Sequence, residues 1–593
     1  MSLTQQWTWT LDAPRARLWR YLADTDWVNR HAGLPPIAAR YEPLPGGGAR
    51  RFASFKRGPL RVEWEERPTE WEAPSFFAVE RDYLHGPLSR FVSRTSLDED
   101  GSNRTRVVVD VRLEAANALA EPLLPLLAAH GRRGADRAFH LATKLAHSAG
   151  ARDGETHDDA SRDLGPWNRL REAGASAGVV ARLAAFVDDA EDADLQRMRP
   201  YELADAWRLP RRDVLRAFLI ATRAGLFNLR WSVLCSSCRG PSEPAASLSD
   251  VRPTYHCDSC NVAFGAAFDR SVEVTFDARP LGRTTDVPPF CIANPRRSPH
   301  VHAQTSVDAR AERTLQLALL PGNYNLTVTG AGSTPFAAAP DANREAVATI
   351  DASGAVDVPV ELGAGALSLR VVNRLDREAV VRVEDGEWPD TIVTAAQVTA
   401  LQEFRDTFSS EVLAPGLDLG IETLAVLFTD VVGSTAIYSK TGDAPAFRIV
   451  SDHFAAIRET VARCDGAIVK TIGDAVMAAF TDPARCLEAA LDLDARVRII
   501  AAAGAPLRLR VGFHAGPCIA MRANDRIDYF GTTVNLAARL QKLAGAGEVT
   551  LARSVAERPD IAERLRGLAT AVASETLEIK GFSQRIDVVR VRP

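Results

Sequence analysis

The sequence has little of what marks membrane, secreted or nucleic-acid-coating proteins. In its 593 residues no apolar run approaches the ~18 residues that a membrane-spanning helix needs. The first residues, MSLTQQWTWTLDA, lack a basic region followed by an apolar core, so no secretory signal is expected. Its formal net charge of −5 argues against a protein that binds nucleic acid in bulk. These absences predict a soluble, cytoplasmic protein without a membrane span.

Cysteine is also scarce, with eight residues in the chain. Four of them form two CxxC pairs and four are scattered, which is typical of metal binding in a reducing compartment and not of a disulfide framework. At about 100–200 residues per domain, the length predicts a multidomain protein with about four domains.

Residues 1–148 have the pattern of one α+β domain. A strand at Gln6–Leu11 precedes a helix with Asp12 as an N-cap candidate. Alternating segments follow, with Asp100-Gly101 as a hairpin turn, and a long helix is predicted at roughly Ala118–His147. The order resembles the helix-grip fold of START-like domains, a resemblance that implies a hydrophobic small molecule between sheet and helix. A plain core without a ligand is the alternative interpretation.

A polar, glycine-rich linker is predicted at residues 149–165, and residues 166–234 are predicted to be helical and winged-helix-like. An arginine-rich helix in this stretch could face DNA phosphates, or it could be the solvated face of a packing domain. The second interpretation is favoured, because no dimer element or base-reading pattern accompanies the helix. Nucleic acid is therefore not expected as a partner. The arginines are Arg211, Arg212, Arg216 and Arg223.

Residues 235–270 contain the two CxxC pairs, Cys235–Cys238 and Cys257–Cys260, with eighteen residues between the pairs. Each pair places two thiolates on one side of a tight turn, and together they complete a tetrahedral site for zinc. Four protein ligands leave no open position, so the predicted zinc ribbon is structural. His256 is expected to be a neighbour and not a ligand.

Two further segments separate the zinc ribbon from the C-terminal part of the chain. Residues 271–389 alternate as in a small β-sandwich, with turn signals such as Pro321-Gly322-Asn323. A connecting helix is predicted within 395–416, with its amphipathic pattern at Val398–Val412. This helix either transmits a signal to the segment after it or packs on the β-region, and the sequence leaves both open.

The stretch with the clearest chemistry begins at Leu424–Thr435. An apolar strand ends there in Thr429-Asp430 and turns through Gly433-Ser434-Thr435, which suits phosphate binding by free backbone N–H groups. Residues Ile468–Phe480 have the pattern of a β-hairpin around Gly473-Asp474. Carboxylates at the ends of two buried strands can hold one or two divalent metal ions.

Residues 417–593 continue this stretch in a βαββαβ order, and they resemble the catalytic domain of class III adenylate and guanylate cyclases, with a ferredoxin-like α/β fold. The resemblance implies two Mg²⁺ or Mn²⁺ ions per active site on Asp430, Asp474 and the carbonyl of Val431. It also implies that Gly433, Ser434 and Thr435 form the triphosphate-binding loop and that Lys470 and Asp528 read the purine. Asn535 and Arg539 would contact the ribose and the reacting phosphate, and Lys580 would contact the terminal phosphates.

The purine-reading pair predicts ATP as the substrate. Lys470 can donate to adenine N1 and Asp528 can accept from the N6 amino group, whereas guanine presents a protonated N1 and an O6 acceptor. Asn535 and Arg539 are four residues apart on a predicted helix and therefore share one face. The expected enzyme is an adenylate cyclase, a phosphorus–oxygen lyase that forms cyclic AMP and pyrophosphate.

In the family that this segment resembles, the metal aspartates and the Asn–Arg pair come from different subunits. One chain here carries both halves, so a symmetric homodimer with two equivalent sites is expected. The alternatives are a catalytically weak, cyclase-like dimeric sensor and a nucleic-acid-associated regulator. A sensor would be expected to have lost some of the site residues.

Overall fold

The computed structural model describes residues 2–44, 47–58, 60–101, 103–152, 165–279, 291, 294–433, 442–501, 508–568, 571–578 and 585–592. Across these residues, no helix combines the length and the apolar character that crossing a membrane requires.

The first part of the chain wraps an antiparallel sheet around a long helix. The strands are β1 (Ser2–Leu11), β2 (Ala38–Pro43), β3 (Ala49–Arg57), β4 (Leu60–Glu66), β5 (Glu70–Glu72), β6 (Phe76–His85), β7 (Leu88–Glu99) and β8 (Thr105–Ala115), and the helices are α1 (Arg15–Leu22), α2 (Thr25–His31) and α3 (Leu124–Arg152). The sheet runs β1-β8-β7-β6, and β4, β3 and β2 continue from β6. Helix α3 packs on β1, β8 and the two short helices, with Phe139 buried against Trp9.

Helix α3 starts later and ends later than the predicted helix at Ala118–His147. Pro122 lies in a 3-10 turn at Glu121–Leu123, because proline lacks the N–H that a helix interior needs. The helix then runs to Arg152, into the predicted linker. The rest of that linker, residues 153–164, lies outside the described residues.

The next part of the chain is helical and ends in a two-stranded sheet. Its elements are a 3-10 turn (Gly165–Trp167), α4 (Asn168–Glu172), α5 (Ala177–Asp189), α6 (Pro200–Trp207), α7 (Arg211–Arg223), β9 (Phe227–Val233), a second 3-10 turn (Leu248–Asp250), β10 (Thr254–Cys257), β11 (Val262–Gly265) and β12 (Val272–Ala278). Strand β12 pairs with β9, and Phe276 packs on Phe218 of α7. This strand, predicted to open the β-region, therefore packs with the helices.

Residues 301–385 form two facing sheets around one apolar core. A 3-10 turn (Pro295–Arg297) precedes β13 (Val301–Val307), β14 (Glu312–Leu319), β15 (Gly322–Val328), β16 (Gly332–Ala339), β17 (Glu345–Ile350), β18 (Val356–Asp357), β19 (Glu361–Gly363), β20 (Gly365–Asn373) and β21 (Ala379–Asp385). One sheet is β13-β21-β15-β16-β19 and the other is β14-β20-β17-β18. Strand β13 also pairs with β5, which joins this region to the first sheet.

The predicted connecting helix is not continuous. Helix α8 covers Ala395–Thr399 and α9 covers Gln402–Thr407, and Leu401 between them is extended at φ −88° and ψ 132°. The Thr399 carbonyl accepts a hydrogen bond from Arg405 Nε at 2.7 Å, a side chain from the following turn. The amphipathic pattern predicts the apolar face of this segment, but the helix is interrupted at Leu401.

The C-terminal part has the predicted βαββαβ order. Its elements are β22 (Leu419–Val431), α10 (Asp443–Arg463), β23 (Ala467–Ile472), β24 (Ala475–Phe480), α11 (Pro483–Ala501), β25 (Leu509–Ala523), β26 (Arg526–Phe530), α12 (Thr532–Leu543), β27 (Glu548–Ala552), α13 (Arg553–Ala556), α14 (Pro559–Arg566), β28 (Ala571–Leu577) and β29 (Ile586–Arg592). The sheet order is β23-β24-β22-β25-β27-β29-β28, with β26 on β25.

The two faces of this sheet are buried by different parts of the chain. Side chains such as Leu427 and Phe513 pack against α10 and α11. Val426, Val469 and Tyr529 belong instead to an apolar cluster that continues through α9 into residues 167–278. Segments that precede the sheet in the chain therefore cover part of its second face.

Candidate active site

Asp430 and Asp474 lie at the ends of neighbouring strands. Asp430 is the penultimate residue of β22, and Asp474 follows Gly473 in the turn from β23 to β24. Because β22 pairs with β24, with Thr429 opposite Val476, the two carboxylates come to the same edge of the sheet. Gly473 has φ +64°, a left-handed conformation that favours glycine and allows this tight turn.

The electrostatics of this edge favour a bound cation. Burial raises the pKa of Asp430, and the negative charge of Asp474 raises it further, whereas Arg510 and Gln541 lower it. Asp474 Oδ2 is buried and has no hydrogen-bond partner among the described residues. Two adjacent carboxylates, one with an unsatisfied oxygen, are suitable ligands for a divalent metal ion.

The loop that follows β22 is described only at its start. Val431 is buried at the end of the strand, and Gly433 adopts φ +73° in a turn. The predicted phosphate-binding residues Ser434 and Thr435, and the predicted phosphate lysine Lys580, lie outside the described residues.

The structure brings the two predicted purine-reading residues into contact. Lys470 Nζ lies 2.5 Å from Asp528 Oδ2, although the residues are 58 positions apart. Asp528 Oδ1 accepts a hydrogen bond from the Tyr529 backbone N–H at 2.8 Å, which fixes the carboxylate. The Lys470 ammonium also lies 5.5 Å from the centre of the Phe530 ring. A donor and an acceptor are thus held side by side.

Asn535 and Arg539 lie one turn apart on α12. Asn535 is exposed and Arg539 is half-buried. In the part of the chain that the structure describes, neither side chain makes a hydrogen bond or an ion pair. Both groups therefore remain available for a ligand.

Helix α12 reaches its position because Gly512 has no side chain. A Cβ atom on Gly512 would lie 2.0 Å from the backbone nitrogen of Gln541. The helix therefore packs directly on β25, and this contact sets where Asn535 and Arg539 lie relative to the sheet.

Two polar residues near the carboxylates were not predicted. Arg510 lies opposite Asp430 in the pairing of β22 with β25, a position that strand register could have indicated. His453 of α10 is 1 % exposed, and burial lowers its pKa to about 4 despite the nearby Asp474. No sequence signal distinguishes such a histidine from one on the surface.

The four predicted zinc ligands form one cluster. The Sγ atoms of Cys235, Cys238, Cys257 and Cys260 all lie within 4.8 Å of one another. The distance from Cys238 Sγ to Cys257 Sγ is 3.8 Å. A tetrahedral ion with Zn–S bonds of ~2.3 Å separates its sulfurs by about that distance, so the cysteines fit zinc. Hydrogen bonds from the other three thiols hold the pKa of Cys235 below its usual range.

The four cysteines outside the cluster are buried: Cys291, Cys464, Cys486 and Cys518.

Three of the four arginines of the predicted winged-helix segment are engaged within the chain. Arg211 pairs with Asp205 and Asp390. Arg212 pairs with Asp465 at 2.7 Å, beyond the C-terminus of α10. Arg216 lies 4.0 Å from Glu403. These contacts attach α7 to α9 and to the C-terminal domain.

Comparison with known proteins identifies the C-terminal domain. Residues 420–586 match the family described as the adenylate and guanylate cyclase catalytic domain. Residues 165–287 match a family of unknown function, DUF5939, whose range includes the helices, the four cysteines and β12.

Several curated proteins are similar to parts of the chain. An uncharacterized protein of Mycobacterium tuberculosis is 34% identical over 161 residues, which cover 27% of this chain and 39% of that protein. A pH-sensitive adenylate cyclase of the same species is 27% identical over 293 residues, 49% of this chain and 69% of that protein. Adenylate cyclase 2 of Rhizobium meliloti is 31% identical over 184 residues, 28% of this chain and 49% of that protein. Among solved structures, an adenylyl cyclase from P. aeruginosa is 22% identical, with a TM-score of 0.27, over 30% of this chain and 95% of that one.

Residues 420–586 are thus a class III adenylate/guanylate cyclase catalytic domain, in a chain of mixed α/β, multidomain architecture. The chain spans about two fifths of the length of the first of these relatives.

Proposed function

We propose that the protein is an adenylate cyclase, which converts ATP to 3′,5′-cyclic AMP and pyrophosphate at sites shared between the two subunits of a homodimer. The observation that carries the proposal is the Lys470–Asp528 pair, held at 2.5 Å within the cyclase catalytic domain. The adenylate cyclases among the similar proteins support the same activity.

The Lys470–Asp528 pair favours adenine over guanine. Adenine offers an acceptor at N1 and a donor at N6, which match an ammonium and a carboxylate. Guanine offers a donor at N1 and an acceptor at O6, so both charged groups would face the wrong partner. A site built from buried polar groups discriminates strongly against a base that leaves them unpaired.

Asp430, Asp474 and the carbonyl of Val431 would hold two Mg²⁺ or Mn²⁺ ions. When bound, such ions lower the pKa of the ribose 3′-hydroxyl and neutralise phosphate charge. The fit rests on the raised pKa of Asp430 and on the buried, unsatisfied oxygen of Asp474.

The other proposed site residues act on the sugar and the phosphates. Asn535 orients the ribose, so that its 3′-oxygen faces the α-phosphorus. Arg539 bridges two α-phosphate oxygens, on which negative charge develops as the bond to pyrophosphate breaks. The backbone of Gly433-Ser434-Thr435 binds the triphosphate, and Lys580 binds its terminal phosphates.

The homodimer is supported by exposed apolar residues beside the site. In the described catalytic domain, Ile472, Ile519 and Phe530 are 54%, 43% and 42% exposed. Ile519 and Phe530 are paired across β25 and β26, and Ile472 lies two residues before Asp474. Apolar side chains rimmed by polar ones are typical of a protein interface. A second copy would cover them and bring its Asn535 and Arg539 to the metal aspartates.

We also propose that the four-cysteine cluster holds one structural zinc ion per chain. All four positions of a tetrahedral ion would be filled by Cys235, Cys238, Cys257 and Cys260, so no position is left for a substrate.

The segments before the catalytic domain are proposed to regulate it. The hydrophobic ligand of residues 1–148 stays a prediction that rests on the helix-grip pattern. Much of the space between the sheet and α3 is filled by the chain's own side chains, among them Leu97, Val107 and Phe139.

The proposed activity is tested by incubating the purified full chain with ATP and Mg²⁺ or Mn²⁺ and quantifying cyclic AMP. We expect cyclic AMP from the wild type and none from Asp474→Ala, while Asp525→Ala, on an exposed turn, stays active. No cyclic AMP with either metal would reject the enzyme and leave a dimeric sensor or a regulator. A higher kcat/KM for GTP than for ATP would reject the adenylate specificity alone.

A further inference from the structure

The α8–α9 segment, residues 395–407, lies between the DUF5939 region and the purine-reading pair. On one side, Phe404 packs edge-to-face on Trp231 of β9, with ring centres 6.2 Å apart. Glu403 lies 3.6 Å from Arg212 of α7. On the other side, α9 makes hydrogen bonds to β23 and β26, the two strands that carry Lys470 and Asp528.

Arg405 of α9 holds both neighbours of Asp528. Its Nη1 donates to the Ile527 carbonyl at 3.1 Å, and its Nη2 donates to the Tyr529 hydroxyl at 3.1 Å. The guanidinium also lies over the Tyr529 ring, 5.5 Å from its centre. Tyr529 is 1 % exposed, so this contact is shielded from water. One planar group therefore contacts the residues on both sides of Asp528, the backbone of Ile527 and the side chain of Tyr529.

Gln402 contacts the strand of Lys470 in a similar way. Its Oε1 accepts a hydrogen bond from the Ile468 backbone N–H at 2.8 Å. The pairing of β23 with β24 shifts register between Ile468 and Lys470, and such irregularities leave backbone groups without ladder partners. The side chain from α9 satisfies one of them, two residues from Lys470.

We propose that Arg405 and Gln402 are positioning residues for purine recognition, and that α9 sets the spacing of Lys470 and Asp528. This inference rests on the proposed nucleotide cyclase function. The Arg405 guanidinium donates to three acceptors, the Thr399 carbonyl, the Ile527 carbonyl and the Tyr529 hydroxyl. Such a planar group tolerates little movement, so a shift of α9 would also shift the strand of Asp528. Helix α9 also packs on α7 and β9, which belong to the DUF5939 region. Arg405 and Gln402 therefore connect that region to the strands that carry Lys470 and Asp528.

The experiment compares Arg405→Met and Arg405→Lys with the wild type as full chains. For each, kcat and KM are measured with ATP and with GTP, and dissociation constants for both nucleotides are measured by equilibrium dialysis. We expect Arg405→Met to raise KM and Kd for ATP by about tenfold and to reduce the ATP-to-GTP preference by a similar factor. The kcat for ATP should change less. Arg405→Lys, which keeps one donor, should recover part of the preference.

The matched control is Arg458→Met. Arg458 of α10 pairs with Asp406 of the same α9, but among the described residues it makes no hydrogen bond to β23 or β26. The variant should leave the ATP-to-GTP ratio unchanged. Unfolding midpoints and dimer content are measured for every variant, so that a folding defect is seen directly. Gln402→Leu should act in the same direction as Arg405→Met, with a smaller effect.

Equal losses with ATP and GTP in Arg405→Met, at an unchanged preference, would mean that Arg405 only supports the fold, and would overturn the inference. An unaltered Kd ratio with normal folding would overturn it too. A wild type that binds ATP over GTP without forming cyclic AMP would reject the proposed function, while the Kd ratios of the variants still decide the role of Arg405.

Discussion

Lys470 and Asp528 illustrate how two charges can be kept ready for a ligand. Asp528 is 7% exposed and receives hydrogen bonds from Lys470 and from the Tyr529 backbone. A buried carboxylate without a partner would be costly, and Lys470 provides that partner. In the proposed site, a bound purine would compete for both groups. Reversing donor and acceptor at this point should therefore reverse the choice of base.

We predict that Lys470→Glu combined with Asp528→Cys shifts preference from ATP towards GTP. The introduced glutamate would accept from guanine N1 and N2, and removal of the Asp528 charge makes room for O6. The kcat/KM ratio for the two nucleotides is the measurement, with Lys470→Glu alone as the control. The single variant places two carboxylates together and should lose activity with both. If the double variant is active and still prefers ATP, the assignment of these residues is wrong.

His453 gives the catalytic domain a pH-dependent stability. Its pKa in the folded chain is about 4, against a usual value of 6.5, because burial disfavours the charged ring. Between these values the unfolded chain binds a proton that the folded chain does not. The stability contributed by the neutral ring is present above pH 6.5 and is lost as the pH falls towards 4.

We predict that His453→Gln loses less stability than the wild type between pH 7 and pH 5. The difference should be about 1–2 kcal/mol. Urea unfolding at several pH values in the presence of a chelator measures it. His140→Gln, on the exposed face of α3, is the control and should follow the wild type. Parallel pH profiles for His453→Gln and wild type would contradict the prediction.

At the scale of elements, the packing of α12 on β25 depends on one strand residue. The absent side chain at Gly512 is what lets the backbone of Gln541 approach the sheet. Asn535 and Arg539 lie on this helix, so its distance from the sheet also sets their distance from a substrate in the proposed site.

We predict that Gly512→Ala destabilises the protein by roughly 2 kcal/mol or more and lowers activity, because the helix must move outward. Gly420→Ala is the matched control, since Gly420 lies in β22 and a Cβ there would meet nothing within 4 Å. Unfolding midpoints and cyclic AMP formation are compared for the two. Equal behaviour of both variants would show that α12 adjusts without cost.

The cysteine cluster joins the segment after β9, which contains Cys235 and Cys238, to the β10–β11 hairpin, which contains Cys257 and Cys260. Strands β10 and β11 are four residues each and expose much of their surface, so they have little core of their own. A bound metal would supply the folding energy that such a small unit lacks.

We predict one zinc ion per chain by metal analysis, and a lower unfolding midpoint after removal of zinc by a chelator. Cys260→Ser should reproduce the loss, whereas Cys291→Ser, outside the cluster, should retain full zinc content. Freshly purified protein with no zinc and four free thiols in the cluster would rule out the proposed site.

At the scale of the whole molecule, the proposed site is complete only between two chains. Asp430 and Asp474, the proposed metal ligands, lie at one edge of the sheet. The exposed Asn535 and the half-buried Arg539 lie on α12 without partners in the described part of their own chain. In a two-fold symmetric dimer, each site would combine the aspartates of one chain with Asn535 and Arg539 of the other, which gives two sites per dimer.

We predict that Asp474→Ala and Arg539→Ala, each inactive alone, regain activity when mixed. Random exchange makes half of the dimers mixed, each with one intact site of two, so about a quarter of wild-type activity is expected. The control is each variant mixed with itself. Absence of recovery, with subunit exchange demonstrated, would argue against shared sites.

The strand, turn and helix order of the catalytic domain is predictable from the sequence, because buried strands and glycine turns are local signals. The sequence also determines which residues carry charge at the strand ends, and the spacing of the CxxC pairs. Such signals predict Asp430 and Asp474, and the family resemblance that they support predicts Lys470 and Asp528.

The contacts between distant segments are visible in the folded chain but not in its local sequence patterns. That α9 breaks from α8, that Arg405 reaches Ile527 and Tyr529, and that β12 pairs with β9 depend on packing between segments far apart in the chain. An amphipathic pattern reports which face of a segment is apolar, but it carries no information on the surface that covers that face. The position of Lys470 and Asp528, the proposed purine-reading pair, relative to the rest of the chain therefore follows from packing, which local patterns do not encode.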